Sequence, residues 1–374
     1  MTTLRIGFDP GSSLTKAIYS IDKQRPQLLT MASEVIALDD EMFQQKADTI
    51  RAGVLTGTND AHLKYKKSAD RVYSVGQLAR EFDGEIDLEQ NKHEYAVPRF
   101  LAVIGAIVER ERINREGIRI QLTAVLPYDE YASEEIFREQ IAKRGRTYYF
   151  RGQKIKLEID EPTVLPEGGG FVMELADKHG DDWLASQENV GVLMIGHRNA
   201  SYLNFRHGRL NRELTQTTDL GFVRLVDIAA ENSAGQNRER LTRSIYELGN
   251  EIDADSPLVR SLVRTKEAEN IRVESQQLAS AISQARVEYW HRLKNWIDSA
   301  IPGHKQSLTI AGGGAFYMRS KLSDYLANSE PVWAEIPADD PLIANESDPS
   351  LKYRIGDIYA ATRQMFGTIW QQAA

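Results

Sequence analysis

No cysteine occurs anywhere in the 374 residues. Disulfides, thiolate nucleophiles and thiolate metal centres are therefore excluded. Long apolar runs are missing as well: the longest, Phe100 to Val108, falls far short of the ~20 residues that a membrane-spanning helix requires. No basic segment followed by an apolar one opens the chain, so no secretory signal is read and a cytoplasmic location is expected. Basic charge is in deficit, with 46 Lys and Arg against 54 Asp and Glu, for a net charge of -8. That balance argues against direct nucleic-acid binding, and any service to DNA calls for an adaptor protein. No low-complexity tail or long linker holds modules apart. A chain of this size usually exceeds one hydrophobic core, so two domains are expected.

Against these absences stands one dense segment, Phe8-Asp9-Pro10-Gly11-Ser12-Ser13-Leu14-Thr15-Lys16-Ala17. Leu4, Ile6 and Phe8 alternate before its turn and Ala17, Tyr19 and Ile21 after it, the pattern of two strands. Successive backbone N–H groups in such a turn form an anion-binding concavity, Gly11 permits close approach, and Lys16 brings a cation to a phosphate oxygen. Asp9, at the strand end, is suited to orient water on a magnesium ion. Taken alone, the segment reads equally well as a surface hairpin with a tight turn.

The device recurs. Val190 to Ile195 is an apolar strand, Gly196-His197-Arg198-Asn199 a small polar turn, and Ala200 to Phe205 a second alternating strand. Two hairpins of one design, about half a chain apart, point to two related halves. A third element, Ser307 to Ala311, runs into Gly312-Gly313-Gly314 before a helical stretch. Glycines there let backbone approach a ligand, and a helix N-terminus behind them favours negative charge; the bland alternative is a plain strand-to-helix turn.

Strand patterns cluster at 3–22, 121–127, 147–158, 190–210 and 307–311. Helical periodicity covers Val97 to Arg112, Glu130 to Arg144, Phe222 to Glu231, Arg238 to Leu248, Arg272 to Ile301, Phe316 to Ala327 and Gly356 to Ile369. In the longest of these, Leu278, Ile282, Ala285, Tyr289, Leu293, Trp296 and Ile297 make a stripe read as core. The polar segments 39–71 and 229–240 read as loops or insertion borders, and 180–189 as turn-rich.

Taken in order, the three Gly-bearing elements resemble the phosphate-1, phosphate-2 and adenosine motifs of the actin-like ATPase superfamily, which includes actin, the DnaK-type chaperones and many sugar kinases. Within it the chain is most similar to the bacterial ParM/StbA-type actins of plasmid segregation. Ala124-Val125-Leu126-Pro127, Val164-Leu165-Pro166-Glu167-Gly168-Gly169 and the closing Tyr353-Arg354-Ile355-Gly356-Asp357-Ile358-Tyr359 fall in the same order. The resemblance implies an α/β, two-domain actin-like fold with a nucleotide cleft between the domains. Domain I would hold 1–165, with an insertion near 30–95 and a completing C-terminal segment 346–374. Domain II would hold 166–345, with a helical insertion near 220–305.

The resemblance also implies roles. Asp9 would hold magnesium through water, Gly11, Ser12, Ser13 and Lys16 would cradle phosphate, and Glu167 would orient the attacking water. Gly196, His197, Arg198, Asn199, Gly312, Gly313 and Gly314 would complete the nucleotide site. ATP or GTP with Mg2+ would be bound, and the partner would be further copies of the chain in a filament, with a DNA-binding adaptor protein where cargo is DNA. One position departs from the pattern: Met194 stands where the family usually has aspartate, and methionine cannot orient a metal-bound water. Arg198 is a candidate to replace metal charge with guanidinium charge. Two rival functions follow, a small-molecule kinase of the same superfamily and a nucleotide-binding scaffold with little turnover. No aspartate base in a closed sugar pocket is recognisable for the first, while Met194 gives the second its footing.

Overall fold

The computed structural model of the protein describes residues 1–50, 56–82, 92–131, 133–233, 235–303 and 307–367. The chain forms two compact units, Met1–Glu174 with Ile336–Ala374, and Leu175–Glu335. Each is a mixed α/β unit built on one sheet.

In the first unit the strand Thr2–Asp9 runs antiparallel to Thr15–Ile21 and parallel to Ile118–Leu126. Gln27–Met31 extends the hairpin side, and Thr163–Pro166 pairs in parallel with the carboxyl-terminal half of Ile118–Leu126. Gln153–Ile159 pairs with the other half of that strand, and Thr147–Phe150, Ala61–Lys64, Arg71–Val75 and Val35–Asp39 bring the sheet to ten strands. Both faces of the central hairpin are covered, which is why its residues are buried almost without interruption, polar ones such as Thr15 and Ser20 included. Leu4, Ile6 and Phe8 share one core with Phe100, Leu101 and Ile104 of the helix Lys92–Arg110. Ile18 and Val125 share another with Ile355, Ile358 and Ala361, at and within the helix Gly356–Phe366.

The second unit repeats the arrangement. Val190–Ile195 is antiparallel to Ala200–Arg206 and parallel to Ser307–Ala311, which is parallel in turn to Val332–Trp333. Arg209–Leu210 and Gln216–Thr218 occupy the place of the outer hairpin strand. The order of the five central strands is therefore the same in both units, as two hairpins of one design anticipate, while the first sheet continues into five further strands. Against this sheet pack Phe222–Glu231 and the 33-residue helix Ala268–Ala300, whose Leu278, Ile282, Ala285, Tyr289, Leu293 and Ile297 are buried in the unit's core. The stripe is core, as its spacing indicated. Trp333 is partly buried at the margin of this core: its ring meets Phe316 edge-on at 5.2 Å, with the Arg319 guanidinium 5.0 Å from its centroid.

Several local expectations are corrected. The polar stretch 39–71 is not all loop: it contains the helix Asp40–Ile50 and the strand Ala61–Lys64. Asp39 accepts a hydrogen bond from the Met42 amide at the start of the helix, and Phe43 and Ala47, one turn apart, enter a small core with Leu38, Val72, Leu78 and Phe82. The polar outer face hid those two residues. The stretch Glu130 to Arg144 is two helices, Tyr128–Tyr131 and Glu134–Gly145, and the stretch Phe316 to Ala327 breaks at Met318 into Gly313–Tyr317 and Arg319–Tyr325. A helix also runs over Gly169–His179, a stretch to which the helical periodicity above does not extend. Residues 51–55 of the 39–71 loop, 83–91 of the 30–95 insertion, Ala234 of the 229–240 loop and the stretch beyond Gly367, with Thr368 and Ile369 of the last helix, lie outside the described residues. Among the described residues no helix is long and apolar enough to cross a membrane.

Candidate functional site

The carboxyl ends of three neighbouring parallel strands meet in the first unit: Thr2–Asp9, Ile118–Leu126 and Thr163–Pro166. Ligands of α/β sheets collect at such ends, where chain leaves the sheet and backbone groups are not committed to the ladder. Asp9 is the last residue of its strand and lies opposite Lys16 in the antiparallel register. The two side chains form an ion pair through Asp9 Oδ2, and Lys16 Nζ also donates to the Arg354 carbonyl at 3.0 Å. Asp9 is 6% exposed, and its Oδ1 has no hydrogen-bond partner among the described residues. A buried carboxylate oxygen left without a donor carries a desolvation cost, which a water on a divalent cation would relieve. A Mg2+ ion held through water fits this residue.

The turn after Asp9 is tied down from three sides. The Pro10 carbonyl accepts from Arg99 Nη1 at 3.1 Å, and the Ser12 carbonyl accepts from Ser33 Oγ at 2.5 Å. Arg354 Nη2 donates to Ser13 Oγ at 3.1 Å. A Cβ on Gly11 would lie 2.8 Å from the Leu14 carbonyl, 3.2 Å from Lys16 Nζ and 3.3 Å from Asp9 Oδ1. Gly11 thus leaves open the space that both charged groups border.

Glu167 follows the end of the third strand. Its amide donates to the Leu126 carbonyl at 2.6 Å, and Gly168 then takes φ 92, a conformation that favours glycine. The next amides are held by the buried Asp357: Gly168 N donates to Oδ2 at 2.7 Å and Gly170 N to Oδ1 at 3.0 Å. Burial pushes the Asp357 carboxyl up to about 7; the Gly168 amide works against this, and the charges of Asp9 and Glu167 add to it. Asp357 therefore senses both Asp9 and Glu167 at the same end of the sheet.

In the second unit the turn Gly196 to Asn199 closes through the Gly196 amide on the Asn199 carbonyl at 2.9 Å. The carbonyls of Arg198, Gly196 and His197 accept from the amides of Gly221, Phe222 and Val223 at 3.1, 3.0 and 2.8 Å. The first amides of the helix Phe222–Glu231 are therefore spent on the hairpin turn. Met194 sits two residues before the turn glycine, the spacing of Asp9 from Gly11, and is half-buried between Ser201 and Ala311 of the flanking strands. The Arg198 guanidinium forms no ion pair or hydrogen bond with described side chains or backbone. Gly312 has φ 95 and a Cβ there would lie 2.5 Å from the Ile195 carbonyl; on Gly314 it would lie 2.9 Å from the Gly196 carbonyl. Two of the three glycines are thus required by the neighbouring strand end, whatever ligand they face, while Gly313 opens the short helix. That helix has five residues, so its dipole is much smaller than a stretch to Ala327 implied.

No family model and no curated protein sequence matches the chain. Solved structures do. Actin-like protein Alp7A is 13% identical, with 99% of this chain and 98% of that one covered, at a TM-score of 0.64. The apo psk41 ParM protein is 12% identical over 98% of this chain and 99% of that one, at 0.57. Bacillus thuringiensis ParM with ATP is 16% identical over 97% and 99%, at 0.54. The fold is actin-like, of the ParM type. At these identities the likeness establishes the fold alone.

Within this actin-like fold the first unit brings together Asp9, Gly11, Ser12, Ser13, Lys16 and Glu167. Gly196, His197, Arg198 and Asn199 form one turn of the second unit, beside Gly312 and Gly314. Among the described residues no cluster of three or more His, Asp or Glu is arranged to hold a metal. Three residues of the first unit escape sequence reasoning: Arg99, Arg354 and Asp357. Arg99 lies in an otherwise apolar helical run and is 4% exposed, a buried charge that periodicity alone does not interpret. Arg354 and Asp357 stand in the closing segment, where the only signal was its place in the family order.

Proposed function

We propose that the chain is a nucleotide-dependent, filament-forming actin-like ATPase with a bacterial cytoskeletal or plasmid-segregation role in the cytoplasm. The observation that carries this is the doubled hairpin unit, with a buried, half-unpartnered Asp9 at the end of its first strand, in a fold whose solved neighbours include a ParM with ATP. The first unit, with its C-terminal helix, acts as domain I and the second as domain II.

Asp9 would hold Mg2+ through water, and the ion would supply charge that offsets the phosphates. Lys16 moves from Asp9 towards phosphate oxygen, a short reorientation because Gly11 leaves that space open. Ser12 and Ser13 present the amides of the turn, which Arg99 and Arg354 keep in place. Glu167 accepts a hydrogen bond from the attacking water and aims it at the γ-phosphate, the part of phosphoryl transfer in which a protein side chain counts most. Arg198, with His197 and Asn199, contributes the charge and donors of the second turn, in place of a carboxylate at Met194, and Gly313 lets backbone approach the nucleotide. ATP or GTP favours assembly and hydrolysis favours disassembly, the contact between copies being heterologous and therefore open-ended.

A second reading is favoured by Met194 alone: a nucleotide-gated scaffold with negligible turnover. Sedimentation and phosphate release in one sample, with micromolar protein and saturating Mg-ATP or Mg-GTP, separate the two. Pelleting with phosphate release supports the ATPase, pelleting without release the scaffold, and persistent monomers with either nucleotide refute assembly.

A further inference from the structure

Asp357 is a buried carboxylate of the first unit, and both of its oxygens are committed to the turn that carries Glu167. We infer that Asp357 is a positioning residue, which fixes the direction of the Glu167 side chain by clamping the Gly168 and Gly170 amides. The inference rests on the role proposed for Glu167 and adds the element that makes such a role possible.

A turn glutamate has free rotation about its own backbone unless the peptide groups on both sides are held. Here they are. The Glu167 amide is anchored to Leu126 at 2.6 Å, and the next amide, that of Gly168, is anchored to Asp357 at 2.7 Å. The bond to the Gly170 amide at 3.0 Å adds a second point, so the carboxylate grips the turn as a fork and fixes its rotation as well as its distance. Gly170 is what admits the fork: a Cβ there would lie 2.3 Å from the Asp357 carbonyl and 2.8 Å from Asp357 Oδ1. Asp357 in turn opens the helix Gly356–Phe366, whose Ile358 and Ala361 are buried against the sheet, so the clamp is mounted on a rigid element. Burial raises the carboxyl to about 7, the mark of a group kept away from solvent for its hydrogen bonds.

Four full-length variants test this: Asp357→Asn, Asp357→Ala, Glu167→Gln and the double Asp357→Asn/Glu167→Gln. Asparagine keeps the shape and one acceptor but sets an NH2 group against the other amide. Hydrogen exchange over 163–172 is measured without nucleotide, binding with a fluorescent ATP analogue, and kcat by phosphate release at saturating Mg-ATP. Faster exchange at Gly168 and Gly170 is expected, with analogue affinity within about twofold of wild type and kcat lower by about 10- to 100-fold, the scale of a displaced catalytic group. In the Glu167→Gln background, Asp357→Asn should lower kcat no further. Unchanged exchange, an equal fall of kcat in both backgrounds, or normal kcat despite faster exchange would each overturn the inference. Wild-type turnover in Glu167→Gln alone defeats instead the role proposed for Glu167.

Discussion

Replacing Gly170 with alanine isolates the close approach on which the Glu167 turn depends. The added methyl would sit 2.3 Å from the Asp357 carbonyl and 2.9 Å from the Ala361 amide nitrogen, both backbone atoms of the helix Gly356–Phe366. Side chains yield to such contacts by changing rotamer; backbone in a packed helix does not. The helix must move by about 1 Å, which costs ~3 kcal/mol, at the upper end for an overpacked site. Alanine recovers up to about 1 kcal/mol through its helix propensity, since Gly170 lies in the first turn of Gly169–His179. The net loss of ~2 kcal/mol corresponds to a fall in Tm of about 4–8 °C for a unit of this size. Differential scanning fluorimetry measures it, with Gly303→Ala as the control, since a Cβ at Gly303 meets nothing within 4 Å and should change stability by less than ~0.5 kcal/mol. If both variants melt within about 1 °C of wild type, the steric reasoning at Gly170 is wrong.

Three further outcomes are expected. Glu167→Ala should bind nucleotide and assemble almost normally while hydrolysing about a hundredfold more slowly, so that light scattering persists after wild-type filaments have gone; wild-type phosphate release would remove Glu167 from the mechanism. Asp9→Ala should weaken nucleotide binding in the presence of Mg2+ by about tenfold or more, the scale of one charge-assisted contact, and far less in EDTA; equal losses with and without the ion would dissociate Asp9 from the metal. Because burial raises the Asp357 carboxyl from 3.8 to about 7 in the folded chain, its stabilising contribution is complete below about pH 4 and lost as pH rises through about 7. Urea titrations at pH 5 and pH 8 should therefore show wild type losing up to about 2.5 kcal/mol relative to Asp357→Asn; a difference independent of pH would show that Asp357 titrates normally.

What the sequence by itself determined was whatever is written in short spans. The alternation of Leu4, Ile6 and Phe8, the Pro-Gly-Ser turn and the alternation of Ala17, Tyr19 and Ile21 specify a hairpin from within about twenty residues, and the second hairpin repeats the strand–turn–strand plan with Gly196-His197-Arg198-Asn199 as its turn. The helices Phe222–Glu231 and Arg238–Leu248 and the buried stripe of Ala268–Ala300 were legible for the same reason, since 3.6-residue periodicity is a local property. Tertiary structure alone decided what meets these elements. Lys16 and Arg354 are 338 residues apart, Ser13 and Arg354 341, and Gly168 and Asp357 189. No pattern of neighbours encodes such pairings; they arise because the helix Gly356–Phe366 must bury Ile358 and Ala361 against the sheet, and in doing so delivers Asp357 to the turn beside Glu167. The helix Gly169–His179 was invisible for a related reason: its opening glycines favour a turn, and it is the distant carboxylate gripping the Gly168 and Gly170 amides that satisfies its first donors.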